Sequence, residues 1–235
     1  MTSHTLVLIP TYNEAGTIRT LIEQVEMQGV DSVLIVDDRS TDGTLDILSE
    51  LQQQYGNIEV HVRPGKLGFA SAVRDGMRLA LQSFSFNRLI TMDADLSHNP
   101  ADIPRLLAVD SDVVVGSRYT RGGRVEGWSR YRHLLSRGAS VLTNLILRLG
   151  VKDVTSGFKA YQRLVIEHIV AESRAPGIGE FQVETLWIAR RHGFSIREVP
   201  IVFRERAAGR SKLSTIREVY RLVAFLLKAR FSRRA

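Results

Sequence analysis

At 235 residues with 44% apolar content, the chain is long enough to bury a substantial core. It has no cysteine, which excludes a disulfide framework and a thiolate metal site and is compatible with a reducing compartment. The net charge of +7 raises nucleic acid as a partner, but no recognition motif, zinc-ligand spacing or interleaving of aromatic and basic residues accompanies it, so that class is set aside.

The start, Met1 to Thr5, lacks the basic and apolar regions of a secretory signal and runs into a strand. No apolar stretch approaches the roughly 20 residues needed to span a bilayer, so no transmembrane domain is expected. Strands are predicted near residues 5 to 9, 32 to 37, 58 to 63, 88 to 93, 112 to 116 and 196 to 203. Helices are predicted near 17 to 28, 43 to 55, 69 to 83 and 101 to 109. This alternation is the signature of a parallel α/β sheet, read as one domain with a core over about 5 to 213.

Residues Tyr119 to Trp128, rich in Gly and Arg, read as a mobile loop. A helical stretch follows from about Ser129 to Leu149. The last segment, 214 to 235, reads as a basic amphipathic helix: Arg217, Arg221, Lys228, Arg230, Arg233 and Arg234 accompany a broad apolar face. Such a helix fits a membrane surface or the protein's own core.

Three acidic clusters follow apolar strands. Thr5 to Ile9 ends in Pro10-Thr11-Tyr12-Asn13-Glu14, Ser32 to Val36 in Asp37-Asp38-Arg39-Ser40-Thr41-Asp42-Gly43-Thr44, and Arg88 to Met92 in Asp93-Ala94-Asp95-Leu96-Ser97-His98. In an open α/β sheet, ligands bind outside the carboxyl ends of the strands, so these clusters are expected to meet at one crevice. On an extended strand Asp93 and Asp95 would point the same way, suited to a divalent cation on a diphosphate. Helix capping accounts for Asn13 and Asp42. The run Gly65-Lys66-Leu67-Gly68 falls short of a full phosphate-loop pattern, and Gly68 and Gly76 read as packing glycines.

With Gly116-Ser117-Arg118-Tyr119, these motifs make the chain resemble the inverting GT-A type nucleotide-sugar glycosyltransferases. Within that group it resembles dolichol-phosphate (polyprenol-phosphate) mannose synthases. The narrower likeness rests on Arg137-Gly138-Ala139, Thr155-Ser156-Gly157-Phe158, Phe181-Gln182-Val183-Glu184, Glu198-Val199-Pro200-Ile201 and the run from Arg206 to Leu213. It spans about Leu6 to about Phe231.

The resemblance implies a Rossmann-like GT-A sheet, mostly parallel and flanked by helices. It implies transfer of a hexose, mannose from GDP-mannose, to a polyprenyl phosphate with inversion, by a protein peripheral on the cytoplasmic face of a membrane. It places Pro10, Tyr12, Glu14, Val36, Asp38, Asp93, Ala94, Asp95 and Arg118 around the donor, and Arg118, Arg137, Arg206 and Lys212 at the acceptor phosphate. Mg²⁺ or Mn²⁺ would be held by Asp93 and Asp95, with Ser97 a weaker ligand whose place a water can take. Asp95, Arg118, Arg206 and Lys212 would carry catalysis. Because the phosphate acceptor is already an anion at neutral pH, His98 reads as an orienting residue and not a general base. The alternatives are a UDP-glucose-dependent or other-acceptor transferase and, from another class, a non-catalytic nucleotide-sugar or membrane-binding subunit. A separate membrane-anchoring partner is compatible with each.

Overall fold

A computed structural model of the protein describes residues 4–205 and 215–232. Arg206, Gly209, Ser211, Lys212 and Leu213 lie outside the described residues, so the expectations placed on Arg206 and Lys212 find no structural account. The main sheet holds seven strands: β1 (Thr5–Thr11), β2 (Ser32–Asp37), β3 (Ile58–Val62), β4 (Arg88–Thr91), β5 (Val113–Ser117), β7 (Lys159–Gln162) and β8 (Ile196–Pro200). Their order is β3-β2-β1-β4-β7-β5-β8, all parallel except β7, which runs antiparallel to both neighbours. A second, two-stranded parallel ribbon pairs β6 (Arg124–Glu126) with β9 (Val202–Arg204).

Alternation along β1 divides the core. Leu6 and Leu8 point into one apolar layer, with α3 (Phe69–Ser83), α6 (Arg163–Glu172) and α7 (Ile178–Arg191). Val7 and Ile9 point into the other, under α1 (Ile18–Glu26), α2 (Thr44–Gln54) and α4 (Ile103–Leu107). Both faces of the sheet are covered, which is why its strands read as continuous apolar runs. Gly76 lets α3 lie close to the sheet, since a Cβ there would fall 2.4 Å from Leu8 Cδ1.

Two sequence expectations change. The segment 119–128 is anchored and not a free loop: β6 pairs with β9 along Arg124 to Glu126, and Gly123 donates its N–H to Thr120 O at 2.9 Å. β4 ends at Thr91, so Asp93 and Asp95 stand in a turn beyond the strand, and strand alternation does not set their directions.

Two long helices complete the chain, α5 (Arg130–Leu147) and α8 (Thr215–Ser232). Leu222, Leu226 and Ala229 of α8 are buried, Phe225 meets the Trp187 ring edge-on at 6.3 Å, and Arg230 Nη1 donates to Ile146 O at 3.4 Å. Much of the apolar face of α8 is thus spent on α5 and α7, the core-packing alternative. Among the described residues no helix is long and apolar enough to cross a membrane.

The anchoring of 119–128 is testable at Gly123. A Cβ there would lie 2.4 Å from Ser117 O and 2.9 Å from Arg118 C, both backbone atoms that cannot swing aside. Gly123→Ala is expected to cost about 1–3 kcal/mol in urea unfolding, the usual range for overpacking. An unchanged midpoint would return the segment to a free loop.

Candidate active site

The carboxyl ends of β1 and β2 are stitched together by side chains. Asp37, fully buried, accepts from Thr11 Oγ1 at 2.6 Å and from Ser40 N and Oγ, both at 2.7 Å. Asn13, at φ +58°, donates its N–H to Ser40 Oγ and accepts from Thr41 N. It therefore ties two loops and does not cap a helix, contrary to expectation. Asp42 does act at a helix start, accepting from Thr44 N at 3.1 Å, and also from Ala15 N. Glu14 N donates to Thr44 Oγ1, so the Tyr12 to Glu14 loop is fixed by the start of α2.

Asp38 is buried, accepts from Gly68 N at 2.8 Å and lies 3.2 Å from Arg63 Nε. Its carboxylate holds the loop between β3 and α3, where Gly68 sits at φ +96°, a backbone value that favours glycine. Lys66 Nζ stands 4.0 Å from the centre of the half-buried Tyr12 ring. Tyr12, Glu14 and Asp38 thus stand beyond the carboxyl ends of β1 and β2, with Pro10 buried in β1. The Val36 side chain is fully buried in the core facing α3, so it offers a donor no side-chain contact.

The acidic turn after β4 is shaped by Leu96, at φ +60°, an uncommon conformation for a branched apolar residue. Asp93 is partly exposed, while Ala94, Asp95, Ser97 and His98 are buried. Asp95 Oδ1 accepts from Ser97 N at 3.1 Å. Ser97 Oγ is buried with no hydrogen-bond partner among the described residues. The oxygen donors of Asp93, Asp95 and Ser97 suit a hard divalent cation such as Mg²⁺ or Mn²⁺.

His98 braces this turn from behind. Asp93 N donates to His98 Nδ1 at 3.2 Å, the ring stacks on Phe158 with centroids 5.1 Å apart, and it meets Phe203 edge-on. Accepting at Nδ1 leaves the proton of the neutral ring on Nε2. Burial depresses its pKa to about 4, against partial restoration by the nearby Asp95 charge.

Arg118 also departs from expectation. Its Nε and Nη2 donate to Asp153 at 2.7 and 2.6 Å, Nη2 reaches Thr155 Oγ1 at 2.7 Å, and its backbone N–H adds a bond to Asp153 Oδ2. The fork is committed to a fully buried carboxylate, so the guanidinium is not an open phosphate clamp. Burial disfavours the charged form, yet the charge of Asp153 and its hydrogen bonds carry the pKa above the usual value. Arg137, exposed on α5, lies over the Tyr119 ring at 5.2 Å, and Arg118 lies over the same ring at 5.3 Å.

Three polar residues here were given no role from sequence: Asp153, Lys159 and Gln182. Lys159 is fully buried, donating to Gln182 Oε1 at 2.6 Å, Gln182 O at 2.9 Å and Thr185 Oγ1 at 3.3 Å. Burial lowers its pKa to about 7, with the Asp153 charge opposing. An ammonium has donors only, so it fixes Gln182 with its oxygen inward and its NH₂ turned away. That NH₂ and Asp93 Oδ1 both abut Gly157, each 3.3 Å from where a Cβ would stand. A lysine opening a short strand was the available sequence signal.

A neutral, bracing His98 makes a kinetic prediction. Asn places an amide oxygen near the Nδ1 position, so His98→Asn is expected to keep kcat within about tenfold, whereas loss of a general base costs about 10²–10⁴. The folded pKa lies below the unfolded value of 6.5, so the unfolded chain binds the extra proton between about 4 and 6.5. Wild-type stability therefore falls as pH drops through that window, and the variant lacks this component. Urea titrations at pH 7 and 5 with steady-state rates check both; a rate loss of three decades would make His98 the base.

Residues 6–170 match the sequence profile of Glycosyl transferase family 2. The polyprenol monophosphomannose synthase of Mycolicibacterium smegmatis is 37% identical over 240 residues, 99% of this chain and 90% of that protein. The undecaprenyl-phosphate mannosyltransferase of Micrococcus luteus is 36% identical over 213 residues, 89% of this chain and 87% of that protein. Among solved structures, the glucosyl-3-phosphoglycerate synthase of Mycobacterium tuberculosis, crystallised with Mn²⁺, UDP and glucosyl-3-phosphoglycerate, superposes with a TM-score of 0.71 at 21% identity. That match covers 97% of this chain and 80% of the other. At that identity the likeness speaks for the fold, a GT-A sheet; the sequence matches go further, and place this chain in family 2 of the glycosyltransferases, next to the polyprenol-phosphate mannose synthases.

Proposed function

We propose that the chain transfers a mannosyl group from GDP-mannose to a polyprenyl phosphate, with inversion, at a membrane surface. The observation that carries this is the 37% identity, over 99% of the chain, to a protein named a polyprenol monophosphomannose synthase. The convergence of Tyr12, Glu14 and Asp38 with Asp93 and Asp95 at one sheet edge supports a nucleotide-diphospho-sugar site.

An acceptor phosphate oxygen attacks the anomeric carbon from the face opposite the leaving group. The bond from that carbon to the β-phosphate oxygen breaks, and the nucleoside diphosphate departs with the electron pair. A phosphate monoester has its second pKa near ~6, so no side chain has to remove a proton. Positioning is then the main task. Asp93 and Asp95 would hold the divalent cation, which when bound neutralises charge on the diphosphate. Asp38 and Glu14 accept from ribose or base, and Tyr12 borders the base. Arg137 is the exposed cation for the acceptor phosphate, with Arg118 positioning Tyr119 beneath it. Arg206 and Lys212 remain proposed as cations that close over the phosphates.

A lipid acceptor requires a surface that meets lipid, and α5 offers one. Tyr131, Leu134, Val141 and Leu145 are 62, 72, 69 and 76% exposed. Their spacing sets them on one stripe of the helix, flanked by exposed Arg130, Arg137 and Arg148. Each basic residue near an anionic leaflet contributes about 1 kcal/mol. The proposed membrane face is thus α5 together with the basic side of α8, on the cytoplasmic side where sugar nucleotides are met.

Two measurements test the reading. Purified protein is given a panel of nucleotide-sugars, Mg²⁺ or Mn²⁺ and a short-chain polyprenyl phosphate. Mannosyl transfer from GDP-mannose with an inverted anomer is expected, abolished by EDTA and lowered by about 10² or more in Asp95→Ala, the scale of one lost electrostatic contributor. Full turnover in chelator, or preference for another donor, would overturn the corresponding part. Separately, Val141→Glu with Leu145→Glu is expected to weaken flotation on anionic liposomes at least tenfold while sparing kcat on the soluble acceptor. Undiminished flotation would remove α5 from the membrane face.

A further inference from the structure

A cluster of metal-ligand side chains lies at the other end of the sheet. His168 and Glu172 are four residues apart on α6 and so share one face. His192 follows the last residue of α7, where Gly193 at φ +79° turns the chain towards β8. The turn brings the His192 ring back over α6, with its centroid 3.9 Å from that of His168. One ligand atom from each of His168, Glu172 and His192 lies within 4.8 Å of the others. His168 Nδ1 stands 3.9 Å from Glu172 Oε1, and His192 Nε2 hydrogen-bonds the same oxygen.

We propose that His168, Glu172 and His192 form a binding site for a transition-metal ion of the Zn²⁺ class, distinct from the carboxylate turn after β4. Two imidazoles and one carboxylate form a mixed nitrogen and oxygen set that suits Zn²⁺, Co²⁺ or Ni²⁺, whereas Mg²⁺ and Mn²⁺ favour oxygen. Ligands 2.0–2.1 Å from a tetrahedral ion stand about 3.3 Å apart, so side-chain rotation alone closes the present spacing. Water fills the fourth position, because each side chain is about one-third exposed: 34% at His168, 31% at Glu172 and 33% at His192.

The surroundings support such a centre. Phe194 flanks both rings, 5.4 Å from His168 and 6.4 Å from His192 by centroid. Arg191 is the cation that competes for the carboxylate, but its Nη1 faces Glu172 Oε2 at 3.4 Å, while both imidazoles face Oε1. It therefore orients the carboxylate from outside, as outer-shell partners do. Backbone bonds from Gly193 N to Arg190 O and from Phe194 N to Ala189 O hold the turn that carries His192. The two centres are well separated in the fold. β8 begins at Ile196 beside Val113, the first residue of β5, so His192 lies at the amino ends of the parallel strands. Asp93 and Asp95 follow the carboxyl end of β4. A bound ion would pin the end of α6 to the turn between α7 and β8.

The test uses untagged, chelator-stripped full-length protein with excess Mg²⁺ to keep Zn²⁺ from the carboxylate turn. Calorimetric titration with Zn²⁺ is expected to give one site of micromolar or tighter affinity, weakened at least tenfold in both His168→Ala and His192→Ala. Zn²⁺ at 100 times Kd is expected to raise the wild-type Tm by about 5 °C or more. Neither variant gains that rise. Co²⁺ in place of Zn²⁺ adds a visible spectrum that reports imidazole ligation. If either variant fails to fold, His192→Gln replaces it, judged by the same loss. Binding that is equal in wild type and variants, or absent at 100 µM Zn²⁺ (roughly the weak limit for a three-ligand site), would overturn the proposal.

Discussion

Two opposite charges taken out of water, Arg118 and Asp153, hold the segment before β7 against the end of β5. Burying an arginine and an aspartate costs several kcal/mol per ion unless their hydrogen-bonding capacity is met, and here it largely is. Asp153 receives three N–H groups from Arg118 alone, one from the backbone and two from the guanidinium. Removing either partner would strand a charge in the interior. The pair ties the end of β5 to the segment that leads into β7, and consequences follow along that segment. Thr155 is caught by Arg118, Ser156 Oγ donates to Gly116 O at 2.6 Å, and Gly157 is set flush against Asp93. The position of the acidic turn thus depends on an ion pair outside it, through the segment that carries Gly157.

The far wall of the same turn is built without charge. His98 offers a lone pair to the Asp93 backbone and two apolar faces to Phe158 and Phe203. Near Gly157, the buried Lys159 selects the orientation of Gln182. Each device fixes direction and not merely contact: a bidentate fork, an oriented imidazole and an amide whose ends are told apart by a donor-only neighbour.

The parallel half of the sheet was legible in the sequence because its strands are buried on both faces and so write themselves as apolar runs, Leu6 to Ile9 and Val33 to Val36 among them. The acidic clusters at their ends were equally plain. β7 was not, since Lys159 to Gln162 contains only two apolar residues and its place is set by partners about 45 and 70 positions away. α7 is not legible either: every residue from Glu180 to Ala189 is buried, with Glu180, Gln182, Glu184 and Thr185 among the apolar ones, so no period separates a solvent face from a core face. The Asp153 partner of Arg118 is hidden in the sequence for a related reason. A cation at a strand end looks the same in sequence whether it faces a ligand or a carboxylate 35 residues downstream.

The antiparallel strand also sets the order in which the chain can assemble. β1, β2 and β3 pair through local β-α-β units as they emerge and β4 closes onto β1, but β4 and β5 never touch in the sheet order. Each waits for β7 to supply the hydrogen bonds on its inner edge. Loop closure across that distance is entropically slow and is rewarded only on completion. During synthesis, Val113 to Val115 therefore stays an unpaired, strongly β-forming edge until residue 162 has left the ribosome. The two sheet halves are joined late by one four-residue strand, which makes the nascent chain over that interval the stage most dependent on chaperones.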